Sequence, residues 1–273
     1  MVILMLKKRI LSAIIGILLL IFLVLAGSFS FFITVSIISV LAMREYSRML
    51  EIDDNLLRII LGISSVSIVF NSYLISNNFN YLPHGIIFFL IIMSLYIYHL
   101  LNYNENTFIK NISYQLFSVL YIGGGLSFAV FLRDINQTPF INTTALWVVL
   151  IATWITDTGA YFVGKKFGEN PMAPVISPNK TIAGAVGGIL TTALFLILSS
   201  YIAGVLNFYY LLFAFLFPVI AILGDLFESC LKRNFNVKDT GTIIPGHGGI
   251  LDRFDSFIFT APFTYYFIIL FLG

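Results

Sequence analysis

The sequence predicts an all-α protein built from transmembrane helices. Of its 273 residues, 59% are hydrophobic and only 10% are charged. Apolar runs recur from residue 10 to residue 272, and several approach the roughly 20 residues that a helix needs to cross a bilayer. Because backbone N–H and C=O groups in lipid must be paired within the chain, each run is interpreted as a helix.

About nine spans are predicted, in one integral membrane domain over 1–273. They cover 10–26, 28–43, 57–76, 84–101, 112–132, 144–163, 182–203, 207–228 and 253–272. The first span follows the basic residues Lys7, Lys8 and Arg9, and this arrangement resembles a signal peptide. It is interpreted as the first transmembrane helix because further spans follow. Residues 44–58 carry mixed charge and are expected to form an interfacial helix or a loop. Residues 1–140 are assigned to N-terminal helices that serve as a scaffold, form a dimer contact or face lipid, and 141–273 to catalytic helices and cytoplasmic loops.

The placement of basic residues predicts the orientation. With the N-terminus in the cytoplasm and nine alternating spans, every Lys and Arg except Arg133 falls on the cytoplasmic side, as the positive-inside rule requires. The C-terminus is then outside, and the charged loops face the cytoplasm from the inner or plasma membrane. The net charge of +2 says little about partners, and no nucleic acid is expected. The single cysteine excludes an intrachain disulfide.

Five acidic residues are placed where charge is costly or concentrated. Asp157, Asp225 and Glu228 lie inside predicted spans, where one carboxylate costs roughly 2.5–3.5 kcal/mol on insertion scales. Asp252 and Asp255 begin the last span, and each i, i+3 pair shares a helix face. The predicted topology brings the five toward one cytoplasmic pocket. Oxygen ligands alone favour Mg²⁺ or Mn²⁺ over zinc.

Each carboxylate also has a simpler interpretation. Asp252 and Asp255 suit a helix N-terminus, and Glu228 suits an i, i+4 pair with Lys232. Together, however, the five indicate a site for a metal or another ion.

Two loops have features of phosphate binding. Lys180 lies between Ser177 and Thr181 ahead of a predicted helix, with glycines at 184, 187 and 188. In the last loop, His247 stands among glycines that let backbone N–H groups approach an anion. Lys165 and Lys166 are interpreted as topology determinants.

The segment from Ser229 to Asp255 resembles the signature of phosphatidate cytidylyltransferases, also called CDP-diacylglycerol synthases. The matching residues are Ser229, Lys232, Arg233, Lys238, Asp239, Gly241, Pro245, His247, Gly248, Gly249, Asp252, Arg253 and Asp255. Upstream, 157–161 and 177–181 are similar to two further stretches of the family. Ile182 and Ala183 depart from the usual Trp-Glu, so no role of that pair is carried over.

The resemblance implies that CTP and phosphatidate react to give CDP-diacylglycerol and pyrophosphate. It also implies Mg²⁺ dependence, with a second cation left open, contact with membrane lipids, and a homodimer. Asp225 and Asp252 are assigned as principal metal ligands, with Asp157, Glu228 and Asp255 as secondary ones. The phosphates are assigned to the residues Ser177, Lys180, Thr181, Lys232, Arg233, Lys238, Asp239, His247, Gly248, Gly249 and Arg253.

Two other functions remain open from the sequence. Intramembrane carboxylates also mark the ion pathways of cation-coupled transporters, although those are often built from two related halves and no internal repeat is found here. Another polytopic lipid-phosphate transferase, such as a polyprenyl-phosphate phosphosugar transferase, has a similar Asp-rich composition.

Overall fold

The computed structural model describes residues 16, 21–22, 24–135, 145–243 and 248–272. Most of the predicted span 10–26 lies outside the described residues, as do Pro245, Gly246 and His247 of the last loop.

The described chain is almost entirely helical. Its helices are α1 (Ser28–Met49), α2 (Asn55–Ser76), α3 (His84–Leu101), α4 (Phe108–Ser118), α5 (Gly125–Asp134), α6 (Ala145–Phe167), α7 (Ile182–Ile202), α8 (Phe208–Asn234), α9 (Leu251–Phe254) and α10 (Phe257–Phe267). Short π-helical stretches, Val119–Gly124 and Ile268–Leu272, continue α4 into α5 and extend α10. Two strands, β1 (Pro171–Ala173) and β2 (Ser177–Thr181), form an antiparallel hairpin between α6 and α7.

Eight helices of the described residues are long and apolar enough to cross a membrane. They correspond to eight of the predicted spans, so the prediction of a polytopic all-α membrane protein is confirmed. The ends differ most at the predicted span 28–43, whose helix continues to Met49, and at the predicted span 207–228, whose helix runs from Phe208 to Asn234. The latter extension places Lys232 and Arg233 in the last helical turn, where cations suit the negative end of the helix dipole.

The expectation for residues 44–58 is wrong for most of that stretch. Helix α1 continues to Met49 and α2 begins at Asn55, which leaves a connection of only a few residues. The charged stretch stays helical because Glu45 and Tyr46 are buried rather than solvated. Asp54 then caps α2 by accepting hydrogen bonds from the Leu56 and Leu57 N–H groups. The hydrogen bond from Tyr98, followed by the one from Leu56, holds the pKa of Asp54 below its usual value.

The chain divides into two compact units. The first combines 1–131 with 239–253, and the second combines 132–238 with 254–273. In the first unit, Leu61, Leu95 and Ile122 are fully buried; in the second, Phe213 and Phe217 are. The segment 239–253, which carries much of the signature, thus belongs with the N-terminal helices.

In the second unit, α6 and α7 pack closely through glycines of α7. A Cβ atom on Gly184 would lie 2.8 Å from the carbonyl oxygen of Ala160, and one on Gly188 would lie 2.8 Å from that of Thr156. Small residues at such positions let two membrane helices approach each other. Gly184 and Gly188 were considered together with Lys180 as features of phosphate binding. They lie inside α7, as the predicted span 182–203 places them, and they serve helix packing.

Candidate active site

A cavity of about 510 Å³ in the second unit collects polar side chains from α6, β2 and α8. Asp157 reaches it from α6 and Asp225 from α8, so these two carboxylates line one cavity as predicted from the parallel course of their helices. Lys165, Lys180 and Thr181 line it as well. We call it the Asp225 cavity. Its lining combines anionic groups of the kind that bind metal ions with cationic groups of the kind that bind phosphate.

Lys180 and Asp225 form an ion pair in this cavity. The ammonium nitrogen lies 2.5 Å from Oδ1 of the carboxylate, and each side chain keeps 27% of its surface exposed. The Lys180 nitrogen makes no aligned hydrogen bond in the described structure, so the contact is an electrostatic one. Both side chains line the cavity, so the Lys180 ammonium group is placed to exchange Asp225 for an anion that binds there.

Asp255 lies next to Asp225. A Cβ atom on Gly224 would be 3.1 Å from both the Asp255 carbonyl oxygen and the Ser256 Cα atom, so α8 meets the start of the last span there. The Asp255 carboxylate interacts electrostatically with Asp225 and with Asp157. Mutual repulsion among three carboxylates favours a cation beside them.

Glu228 and Lys232 form the i, i+4 pair that the sequence left open. Lys232 Nζ donates to Glu228 Oε1 at 3.1 Å, and Glu228 is fully buried. Lys232 also interacts electrostatically with Asp255. The metal-ligand role of Glu228 stays a prediction, but in this structure the carboxylate already has a cationic partner.

The hairpin between α6 and α7 is held by groups that were assigned to phosphate. The Thr181 hydroxyl accepts a hydrogen bond from the Gly184 N–H at 3.1 Å and so caps α7. Arg233 donates through Nε to the Ile176 carbonyl oxygen at 3.1 Å and through a terminal nitrogen to that of Val237 at 3.2 Å. Ser177 pairs with Ala173 in the strands and does not line the Asp225 cavity. Thr181 remains a cavity residue, whereas the contacts of Arg233 and Ser177 hold the local backbone.

Asp252 is placed in the first unit, on α9, and it is buried. Its Oδ2 atom accepts hydrogen bonds from the Thr240 N–H at 2.9 Å, the Thr240 hydroxyl at 3.0 Å and the Gly249 N–H at 2.8 Å. Gly248, beside it, has φ +84°, and a Cβ atom there would lie 2.8 Å from Asp252 Oδ2. The signature glycine at 248 is thus explained by its backbone conformation and by the carboxylate. That Asp252 shares one pocket with the other carboxylates stays a prediction.

The remaining signature residues are solvent-facing or outside the described chain. Lys238, Asp239 and Arg253 are exposed. His247 lies outside the described residues. The phosphate-binding roles assigned to these residues therefore stay predictions.

Sequence reasoning missed one buried acidic residue, Glu45 of α1. It is fully buried and accepts hydrogen bonds from Thr240 and from the N–H groups of Ile250 and Leu251. Its neighbours Arg44 and Arg48 made the stretch resemble a loop. A usable signal was its helical spacing: Ala42, Glu45 and Met49 fall on one side of α1, and all three are buried.

The cavity suits a divalent ion whose remaining ligands come from a substrate. Among the described residues, no group of three or more His, Cys, Asp or Glu side chains is arranged to hold a metal by itself. Mg²⁺ is commonly bound through one or two carboxylates together with substrate phosphates and water. Asp157 and Asp225, with Asp255 beside them, match that donor set. The residues present therefore fit Mg²⁺ bound together with a polyphosphate.

A second, more open cavity of about 960 Å³ lies between α1 and α2 in the first unit. Its walls are mostly apolar, and Arg44 and Arg58 are its charged lining residues. No carboxylate lines it in the described part of the chain. It therefore lacks the metal-binding half of the chemistry and is not the candidate active site.

Comparison with known proteins identifies the class of enzyme to which the chain belongs. The model of the cytidylyltransferase family matches residues 7–271, nearly the whole chain. Together with the eight apolar helices, this match defines an integral membrane enzyme of the nucleotidyltransferase class. The chain belongs to the cytidylyltransferase family, and the resemblance found in the signature is confirmed.

The relatives carry a more specific name. A phosphatidate cytidylyltransferase of Bacillus subtilis (strain 168) is 34% identical over 271 residues, covering 97% of this chain and 98% of the relative. One from Staphylococcus haemolyticus is 34% identical over 262 residues, covering 94% and 96%. One from Staphylococcus epidermidis is 41% identical over 167 residues, covering 60% and 62%.

Proposed function

We propose that this protein transfers the cytidylyl group of CTP to phosphatidate, giving CDP-diacylglycerol and pyrophosphate. Family membership and the names of the full-length relatives support CTP as donor and phosphatidate as acceptor. The observation that carries the proposal within the structure is the Asp225 cavity, where carboxylates and lysines line one space. The reaction joins two phosphate-bearing substrates, and both kinds of group are needed to hold them.

The bond changes define what the residues must do. An oxygen of the phosphatidate phosphate attacks the α-phosphorus of CTP, and the bond from that phosphorus to the pyrophosphate oxygen breaks. A phosphate monoester is largely dianionic at pH 7, since its second pKa is about 6. The nucleophile therefore needs no strong general base. Catalysis depends mainly on positioning and on offsetting the repulsion between two polyanions.

The cavity residues divide this task by charge. Lys180 and Lys165 would bind phosphate oxygens, and Lys180 would leave Asp225 to do so. Asp225 and Asp157, with Asp255 beside them, would hold Mg²⁺. Bound there, Mg²⁺ would neutralise charge on the phosphates and stabilise the departing pyrophosphate. Asp252 is retained as a proposed metal ligand, and a second cation remains a proposal.

The decisive experiment uses the purified full-length protein in detergent with labelled CTP, phosphatidate and Mg²⁺. Labelled CDP-diacylglycerol formed in equal amount to pyrophosphate is the expected result. Product formed with another lipid phosphate but not with phosphatidate would contradict the proposal in favour of a different lipid-linked transferase. Cation-dependent solute flux in vesicles without nucleotide consumption would contradict it in favour of a transporter.

We further propose that the site faces the cytoplasm, with the N-terminus inside and the C-terminus outside. The charge distribution that follows the positive-inside rule supports this orientation. A reporter fused to the C-terminus should be active only on the outer side of the membrane. A homodimer is proposed from the family resemblance alone, and light scattering of the detergent-solubilised protein should give twice the mass of one chain.

A further inference from the structure

Glu45 is a buried acidic side chain near the C-terminal end of membrane helix α1. It is fully buried within α1, and no Lys or Arg forms an ion pair with it in the described part of the chain. Burying a carboxylate is strongly unfavourable unless hydrogen bonds replace its hydration. The partners of Glu45 therefore indicate why the chain keeps an acid at this position.

Both oxygens of the carboxylate are used to hold one short stretch of backbone. Oε1 accepts from the Ile250 N–H at 2.9 Å, and Oε2 accepts from the Leu251 N–H at 2.9 Å. The Thr240 hydroxyl lies 3.1 Å from Oε2 and 3.0 Å from Asp252 Oδ2, so the two carboxylates share its one proton. Glu45 thus ties together both ends of the segment 239–253, within the first unit.

The same hydroxyl connects Glu45 to Asp252. Thr240 Oγ1 lies 3.1 Å from Glu45 Oε2 and 3.0 Å from Asp252 Oδ2, so it stands between the two carboxylates. Asp252 Oδ2 is held further by the N–H groups of Thr240 and Gly249. The backbone that Glu45 fixes is therefore the backbone from which Asp252 projects.

The glycines of the segment fit closely around Glu45. A Cβ atom on Gly241 would lie 2.5 Å from Glu45 Oε1, and one on Gly249 would lie 2.5 Å from Oε2. Any larger residue at either position would displace the carboxylate. Two glycines of the signature are thus accounted for by a residue nearly 200 positions earlier in the chain.

We propose that Glu45 is a positioning residue for the signature segment, which it fixes so that the carboxylate of Asp252 is held in one orientation. Glu45 itself is engaged by two backbone N–H groups and the shared Thr240 hydroxyl, so we assign it no contact with substrate. The proposal rests on the proposed function only for the role of Asp252, since the hydrogen bonds of Glu45 are independent of it.

The first experiment measures amide hydrogen exchange in the full-length protein in detergent, without substrates. Glu45→Gln keeps the size of the side chain but places an NH₂ group against an N–H donor, so one hydrogen bond must break. We expect exchange of the Ile250 and Leu251 amides to accelerate by about tenfold or more, because local opening governs their protection. Glu51→Gln, the same change at an exposed residue just after α1, is the matched control and should leave exchange unchanged. Unaltered exchange over 249–251 in Glu45→Gln would overturn the proposal.

The second experiment separates positioning from folding through kinetics. Changing a residue that orients a ligand typically costs about 10–100-fold in activity. Glu45→Gln should therefore lower kcat per folded molecule by about tenfold or more, with KM for CTP changed far less. Loss of folded protein with normal kcat in the remainder would mean that Glu45 only supports the fold, which contradicts the proposal.

Thr240 provides a second variant where Glu45→Gln yields no folded protein. Thr240→Val keeps the backbone N–H but removes the hydroxyl between the two carboxylates, whereas Thr240→Ser retains it. We expect Thr240→Val to lower kcat and Thr240→Ser to restore it. Equal and normal kcat in both variants would contradict the proposal. Absence of CDP-diacylglycerol in the unmodified protein would refute the proposed function, but the exchange experiment would still decide the role of Glu45.

Discussion

Asp225 and Asp252 are both acidic residues near the signature, and the structure holds them in different ways. Asp225 is partly exposed in a cavity and is paired with the ammonium group of Lys180. Asp252 is buried, and one of its oxygens is held by two backbone N–H groups and a hydroxyl. A lysine ammonium can move to another anion, whereas backbone donors cannot. The comparison indicates that the Asp225 cavity is built to exchange ions and the Asp252 segment to keep one fixed geometry.

The largest losses of activity should follow from changing the two principal carboxylates, and Asp225→Asn is the first of these changes. This change removes the negative charge of the cavity's central carboxylate and leaves Lys180 without its partner. We expect kcat/KM for CTP to fall by about a hundredfold or more, comparable to the loss of a principal electrostatic group. Initial rates over a range of Mg²⁺ concentrations measure the effect. Asp53→Asn, at an exposed residue in the connection before α2, is the control. Near-normal turnover would remove Asp225 from the metal site.

Two substitutions of Asp252 should separate its effect on activity from its effect on stability. Asp252→Asn can keep a carbonyl oxygen at the position of Oδ2, so it should remain folded while forming almost no product. Asp252→Ala leaves the buried N–H groups of Thr240 and Gly249 without their acceptor, which costs about 1–3 kcal/mol for an unsatisfied group. Thermal unfolding in detergent, followed alongside turnover, distinguishes the two. Equal stability of both variants would argue against the fixed hydrogen-bonded geometry.

Lys180→Met tests whether the ion pair is exchangeable. Removing a cation that binds phosphate should raise KM for CTP by about tenfold to a hundredfold, since hydrogen bonds to charged groups contribute about 1.5–3 kcal/mol. The double variant with Asp225→Asn should lose less than the sum of the two single losses, because the residues are coupled. Strict additivity would mean that they act separately.

The smallest effect should come from two adjacent lysines at the end of α6. Lys165 lines the Asp225 cavity, whereas Lys166 does not and lies 5.0 Å from the centre of the Phe167 ring. Lys165→Gln should raise KM for CTP by about fivefold, the scale of a solvent-exposed ion contact of about 1 kcal/mol. Lys166→Gln is the matched control and should leave KM unchanged. Equal shifts in both variants would assign the effect to the general surface charge.

Much of the fold could be predicted because its signals are local. A membrane helix can be recognised from the length of its apolar run, and the described spans could be predicted from that property alone. The meeting of Asp157 and Asp225 was also predictable, since helices that run in the same direction bring their like ends together. The hairpin was not predicted, because Ser177, Pro178 and Asn179 are typical of turns rather than strands.

The hydrogen-bond partners of Glu45 could not be identified from its surroundings in the sequence. Its neighbours Arg44 and Arg48 suggested a solvated connection, whereas its partners lie 195, 205 and 206 positions further along. Hydropathy reports on the local environment of a residue and carries no information about so distant a donor. The burial of Glu45 between Arg44 and Arg48 is explained by the segment 239–253, which lies beside α1.

The long separation between Glu45 and its hydrogen-bond donors has a consequence for biosynthesis. The helix that contains Glu45 enters the membrane while Thr240, Ile250 and Leu251 have yet to be translated. Until the ribosome reaches them, Glu45 lacks these donors, so its contacts with the segment 239–253 form only after the rest of the first unit has been made. A chain that ended before residue 240 would lack every hydrogen-bond donor that Glu45 has in the described structure.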